Sequence, residues 1–67
     1  MIKTGQIVRF SEATKKFCKD LNVTFFEGDV ENTTFLVVET YEDSLEVEVI
    51  SPDGHILRFG MHDLEAA

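Results

Sequence analysis

Four residues, Ser51-Pro52-Asp53-Gly54, constrain this chain more than any others. Pro presets φ at the second position of a turn, and Gly takes the left-handed site that closes a three-residue hairpin loop. Alternating runs flank the turn, Leu45–Ile50 before it and His55–Phe59 after it. Residues equidistant from Asp53 then face each other across two antiparallel strands. Val49 lies opposite Leu57 and Val47 opposite Phe59 on one face, while Glu48 lies opposite Arg58 on the other.

Thr34–Tyr41 reads as the strand before these two, rich in β-branched and aromatic residues. A turn centred on Glu42-Asp43 sets Leu36 opposite Val49, Val38 opposite Val47 and Thr40 opposite Leu45. The two turns together sort Leu36, Val38, Leu45, Val47, Val49, Leu57 and Phe59 onto one side of a three-stranded meander. The other side carries Glu39 opposite Glu46, Glu48 beside Arg58, and Tyr41 near the turn. Its far end is an apolar cluster of Phe35, Val37, Ile50 and Ile56.

The first half is read from shorter signals. Gly5–Phe10 is a strand candidate. Ser11 offers an N-cap hydroxyl, Glu12 suits the helix dipole, and Ala13, Phe17 and Leu21 recur at one-face spacing. Lys15, Lys16 and Lys19 lie toward the C-terminal half, and Asn22 can end the helix left-handed. The spacing predicts a helix of two to three turns at about 12–21. So short a helix needs a dock, and the cluster Phe35, Val37, Ile50 and Ile56 offers one. Val23–Phe26 is a further strand candidate, and Glu27–Asn32 an acidic surface loop.

The order of these pieces resembles an SH3-like small β-barrel: a short strand, a long excursion, a three-stranded meander with tight turns, and a terminal piece. Gly5-Gln6-Ile7-Val8-Arg9-Phe10 is similar to the opening strand common in such barrels. Met61-His62-Asp63-Leu64-Glu65 resembles their single 3₁₀ turn and the closing strand that pairs back with the first. The resemblance implies a mainly β fold of about five antiparallel strands with one helix inserted after the first. The polyproline groove of peptide-binding SH3 domains needs several aromatics including Trp. This chain has no Trp and one Tyr, Tyr41, so the fold is carried over without binding residues.

Sixty-seven residues suit one small domain spanning 1–67. A chain of this size buries only about 60% of its unfolded surface. At 43% hydrophobic and 28% charged, with one Pro, the composition is that of a folded chain. No apolar run reaches the ~20 residues of a membrane-spanning helix, and the first residues form no signal-peptide pattern. Cys18 is alone, which excludes an intrachain disulfide and points to a reducing, cytoplasmic compartment. Its ordinary role is that of a small buried apolar group.

Charge narrows the partners. Six basic residues stand against thirteen acidic ones, for a net charge of −7. Five of the six basic residues fall in 1–19, and twelve of the thirteen acids in 20–67. Affinity for nucleic acid rests on Lys and Arg meeting phosphates, so most of this surface repels a duplex. A basic protein partner fits better.

Motifs of chemistry are lacking. His55, His62, Asp53 and Asp63 do not follow metal-ligand spacings, so no metal or other cofactor is expected. No Gly-x-Ser-x-Gly elbow or Gly-rich phosphate loop occurs, and Ser11, Ser44 and Ser51 sit at cap or turn positions. Glu39 and Glu46 could split their pKa values as an acid–base pair. A sheet face is too shallow for that, since catalysis requires an enclosed pocket. The chain therefore reads as no enzyme.

Three functions remain. The first is an acidic interaction module or small inhibitor, of the kind phages encode. It would present Glu39, Tyr41, Glu42, Asp43, Glu46 and Glu48 to a basic protein surface, with imitation of phosphate spacing as one specialised form. The second is a nucleic-acid or ribonucleoprotein accessory module using Lys3, Arg9, Lys15, Lys16 and Lys19. The third is an assembly protein self-associating through Phe35, Val37, Ile50 and Ile56, as a monomer or weak homo-oligomer in solution.

Overall fold

Residues 2–22 and 28–67 are described by the computed structural model. The strand anticipated at Val23–Phe26 lies outside the described residues. The elements are β1 (Ile7–Phe10), α1 (Glu12–Leu21), β2 (Thr34–Tyr41), β3 (Glu46–Ile50), β4 (Ile56–Gly60), a 3₁₀ turn (Met61–Asp63) and β5 (Leu64–Ala66). The five strands form one antiparallel sheet in the order β4-β3-β2-β1-β5. The fold is thus mainly β with one helix. The closing strand β5 pairs with β1, setting Val8 opposite Ala66 and Phe10 opposite Leu64.

One face of the sheet holds the core: Val8, Phe10, Phe35, Val37, Val47, Val49, Phe59 and Leu64. Three phenylalanine rings meet edge to face at its centre. The ring centroids are 5.4 Å apart for Phe10 and Phe35, 5.6 Å for Phe35 and Phe59, and 5.1 Å for Phe10 and Phe59. Phe10 is on β1 and Phe59 on β4, three strand spacings away along the sheet. In a flat sheet that separation is about 14 Å. The sheet therefore curls around its inner face, and burial of each ring contributes about 1.5–3 kcal/mol. The sheet does not close into a barrel among the described residues, since β4 and β5 are its two edges.

The β3–β4 hairpin is built as the turn residues require. Opposite residues are equidistant from Asp53 throughout: Val49 with Leu57, Glu48 with Arg58, Val47 with Phe59. Hydrogen bonds from Ser51 N to His55 O (2.9 Å) and from Met61 N to Leu45 O (2.8 Å) extend the same register at both ends. Gly54 has φ +90°, the conformation that closes the loop at low cost only for glycine.

The β2–β3 hairpin departs from the turn centred on Glu42-Asp43. A two-residue hairpin loop needs positive φ at both positions, which Glu and Asp supply poorly. The chain instead uses a four-residue loop, Glu42–Leu45, in which Leu45 takes the left-handed conformation at φ +56°. Tyr41 then pairs with Glu46 and Thr40 with Val47. A β-bulge between Val37 and Glu39 shifts the register again, so that Val37 pairs with Val49 and Leu36 with Ile50. An extra residue reverses which side chains face inward. Near the turn, Thr40 faces in, and Glu39 and Tyr41 face out, as the sequence implied. Beyond the bulge the expectation is overturned: Phe35 and Val37 are core, while Leu36, Val38 and, in the loop, Leu45 are exposed.

α1 starts and stops where the sequence places it. Ser11 Oγ accepts the Thr14 N–H at 3.2 Å, and Asn22 caps the C-terminus at φ 53° and ψ 44°. Its buried positions, however, are Thr14 and Cys18 rather than Ala13, Phe17 and Leu21. The reason is polar. Thr14 Oγ1 donates to Asp63 Oδ1 at 3.0 Å, and Ser11 N donates to Asp63 O at 2.9 Å. These bonds pin the first turn of α1 to the 3₁₀ turn and so choose the helix face that points inward. Cys18 is buried, as its ordinary role requires. Gly28–Asn32 is folded locally on Asp29, whose Oδ1 accepts the Glu31 N–H at 3.0 Å and whose Oδ2 accepts from Asn32 Nδ2 at 2.8 Å. No helix among the described residues is long and apolar enough to cross a membrane.

Candidate functional site

The outward face of the sheet is organised in bands that run across the strands. At the loop end, Tyr41 and Glu46 form one pair and Glu39 and Glu48 the next, with Arg58 opposite Glu48 on β4. Glu42 and Asp43, in the loop itself, are exposed beyond them. The six residues of the anticipated acidic ridge are therefore brought together, although Glu39 faces Glu48 rather than Glu46.

Among the described residues Arg58 is the one cation of the ridge strands, and two contacts hold it. Its guanidinium lies 3.9 Å from the centre of the Tyr41 ring. Its Nε is 3.1 Å from Glu46 Oε1, and Glu48 is its partner across the strands. Tyr41 Oη donates to Glu48 Oε1 at 3.2 Å. That hydrogen bond, together with desolvation and the Glu48 charge, raises the phenol above its ordinary pKa of 10.0. Glu39 Oε1 accepts the Thr40 N–H at 3.2 Å. Two carboxylates directly opposite one another destabilise a sheet, and Arg58 offsets only one side of the pair. A shallow dish of about 500 Å³ opens here between Thr40–Ser44 and Arg58.

A second band lies next to the ridge on the same face. Ile7 pairs with Leu36, Leu36 with Ile50, and Ile50 with Ile56, so one aliphatic side chain from each of four adjacent strands stands in a row. Ile7 is 49% exposed, Leu36 38% and Ile56 63%. This row replaces the apolar cluster expected from the sequence. Phe35 and Val37, expected beside Ile50 and Ile56, are 1% exposed on the opposite face. The bulge at Val38 makes the exchange. Ile7, Leu36 and Ile56 keep this exposure with α1 in place, so the row is not buried beneath the helix whose one-face spacing suggested a lid.

The five basic residues of the alternative site are spread over three places. Lys3 precedes β1. Arg9 lies on the outward face of β1, with Nε 2.9 Å from Glu65 Oε2. On α1, Lys16 Nζ is 2.7 Å from Asp20 and Lys15 Nζ 3.6 Å from Glu12. Lys15 and Lys19 border a depression near Cys18, with Glu31 on its far side. Acids thus accompany this basic set, whereas the ridge holds five acids against one arginine.

At the other tip of the sheet, Ser51, Asp53 and His55 join in a polar turn. Ser51 Oγ donates to the Asp53 carboxylate and accepts the His55 N–H at 3.1 Å; His55 Nδ1 lies 3.0 Å from Asp53 Oδ2. The Ser51 hydrogen bond, opposed by desolvation and helped by His55, lowers the Asp53 pKa below 3.8. The serine addresses the aspartate and not the imidazole, so the cluster lacks the nucleophile-to-base bond of a hydrolytic triad. Among the described residues no group of three or more His, Cys, Asp or Glu side chains is placed to hold a metal ion. No family model matches this chain, and no curated protein or solved structure matches it either.

Proposed function

We propose that this chain is a non-catalytic interaction module that binds a basic protein surface through the loop end of its outward sheet face. The carrying observation is the placement of Glu39, Glu46 and Glu48 on one exposed face with Glu42 and Asp43 beside them, and with Arg58 the one cation of the ridge strands among the described residues. Such a concentration speeds the encounter with a cationic partner and fixes its orientation. Tyr41, already carrying one guanidinium on its ring, supplies an aromatic anchor of the kind enriched in interfaces. The opposed Glu39–Glu48 pair fits this reading, because a residue kept at a cost to stability is one that function accounts for.

In architecture we read the curled sheet as an opened variant of the SH3-like barrel. The position of β5 beside β1, the 3₁₀ turn before it and the ring contact between β1 and β4 support that reading.

The test is affinity capture from the source cells with the wild-type chain and with Glu39→Gln/Glu46→Gln/Glu48→Gln, repeated at rising ionic strength. Basic proteins captured by the wild type, released by salt and missed by the triple variant support the ridge. A capture set unaffected by both salt and substitution overturns it.

A further inference from the structure

The sheet has two open edges, β4 and β5, and they differ. β5 is three residues long, Leu64–Ala66, and a short edge offers little to a further strand. β4 is five residues long, Ile56–Gly60, and its pairing with β3 is regular from end to end. It has no proline and no bulge, the devices that blunt an edge. Its one charge, Arg58, is turned back across β3 onto Glu46 and the Tyr41 ring and does not guard the open side.

The ladder fixes which backbone groups stand on that edge. Ser51 N donates to His55 O and Met61 N to Leu45 O, so the odd-numbered residues carry the bonds between β3 and β4. Ile56 and Arg58 therefore turn both N–H and C=O to the open side, and Gly60 its N–H. Among the described residues none of these groups has a backbone partner. They repeat every second residue, about 6.8 Å apart. A second extended chain matches that repeat, and a helix, whose backbone groups bond to one another, does not.

The side chains describe that chain further. Leu57 points to the inner side yet stays only partly buried beside the core, so an apolar residue opposite it would complete its burial. Gly60 has no side chain. A Lys or Arg opposite it reaches over the strand toward Glu46, which pairs with Gly60. It also reaches toward Asp63, whose Oδ2 lies 3.3 Å from where a Cβ of residue 60 would stand. A second copy of β4 is a poor occupant. Antiparallel pairing that uses Ile56, Arg58 and Gly60 together sets Arg58 against Arg58 and joins two chains that each carry −7. Shifting that register by two residues sets Gly60 against Gly54 of the turn, or Ile56 against His62 of the 3₁₀ turn. We propose that the β4 edge is a strand-docking site. Its occupant is an extended segment of a partner protein that adds a strand antiparallel to β4, with apolar residues on the inner side and Lys or Arg opposite Gly60. The strand pairing stands on the edge alone; the basic residue rests on the acidic-ridge reading.

The experiment uses the full chain and synthetic peptides of about nine residues in which Val alternates with Thr and one Lys replaces the first Thr. Methylating the backbone nitrogens of Thr and Lys removes the N–H groups that face β4 and should weaken binding at least ~10-fold. Methylating those of Val removes the N–H groups that face away and should leave binding unchanged. The bound peptide should slow hydrogen exchange at the Ile56, Arg58 and Gly60 amides at least ~10-fold, while the Leu57 and Phe59 amides, already bonded to β3, change less. Ile56→Pro removes one outward N–H at an edge position and should weaken binding; circular dichroism checks that it keeps the wild-type sheet. Glu in place of the peptide Lys should also weaken binding, and Glu46→Gln should narrow that difference. Absence of binding, equal loss from both methylation patterns, the reverse preference, or free exchange of those amides in the complex overturns the strand site. Equal binding of the Lys and Glu peptides with the methylation preference intact overturns the basic position and the share of the ridge in it, and leaves the strand pairing standing. A free chain that sediments as a dimer with those amides already protected assigns the edge to a second copy and overturns the proposal.

Discussion

The two hairpins that share β3 hold their registers by different means. In β3–β4 the turn residues decide: Pro52 and Gly54 admit one loop, and every pair from Leu45–Met61 to Ser51–His55 follows from it. In β2–β3 the loop residues specify little. Glu42–Leu45 carries no glycine, Leu45 adopts φ +56°, and the register shifts once more at the bulge before Glu39. There the core decides. Phe35 completes the three-ring contact with Phe10 and Phe59, and the loop and bulge adjust to let it. A hairpin with strong turn chemistry therefore exports its register to the sheet, and one without it takes its register from packing.

The largest test of this contrast compares neighbours on β2. Val37→Ala should cost about 2 kcal/mol, because it leaves a cavity in the core, while Val38→Ala should cost about 0.5 kcal/mol or less, as an exposed position does. Urea unfolding of the two variants reads the difference. The register implied by a Glu42-Asp43 turn demands the opposite order.

The turns themselves give the next effect, and its sign should differ between them. Gly54→Ala forces a side chain into a left-handed site and should destabilise by about 1–2 kcal/mol. Leu45→Gly removes the same kind of strain and should stabilise by up to about 1 kcal/mol. Paired thermal unfolding curves moving in the same direction would contradict the idea that one turn directs and the other yields.

Smaller still is the effect of Glu39→Gln. Relief of the Glu39–Glu48 repulsion should raise stability by about 0.2–1 kcal/mol while weakening the basic partner. A gain in both, measured by unfolding and by capture, breaks the link between that repulsion and function.

The two hairpins should also respond to opposite ends of the pH scale. Tyr41 has a raised pKa in the folded chain, so its hydrogen bond to Glu48 contributes fully below pH 10 and is lost as pH rises through the folded value. Tyr41 is the only tyrosine and Trp is absent, so phenolate absorbance reports it alone. Glu48→Gln should bring the titration back toward 10. Asp53 has a lowered pKa, so its contribution is present above the unfolded value near 3.9 and is lost as pH falls through the folded one. Asp53→Asn should remove that acid-side dependence from the β3–β4 hairpin, as followed by backbone amide signals of His55.

Of the candidate surface, the part next to the loop was legible. The acids and Tyr41 of that end alternate with inward residues, and their grouping on one face survives the wrong pairing of Glu39, because the observed register there differs from the expected one by two residues, which leaves every side chain on its own face. The apolar row was not legible. Phe35-Leu36-Val37-Val38 is a continuous apolar run with no alternation, so period-two reasoning has nothing to choose with. Ala13, Phe17 and Leu21 misled in a related way: their spacing marks one helix face, but the face turned inward is set by hydrogen bonds from Thr14 and Ser11 to Asp63, 49 residues further along the chain from Thr14.

Local chemistry was enough to place β1 to β4, the helix with both its caps, the Pro-Asp-Gly turn and the excess of acid in the second half; the 3₁₀ turn and its closing strand were expected only from the resemblance to a small barrel. Each locally placed feature depends on residues close together along the chain, whose conformational preferences act before any distant contact forms. Only the tertiary structure decided which side of β2 enters the core, and with it the row of Ile7, Leu36, Ile50 and Ile56 on the outward face. That choice belongs to three phenylalanines from β1, β2 and β4, which can meet only when the sheet curls, and curling sums interactions across the whole domain.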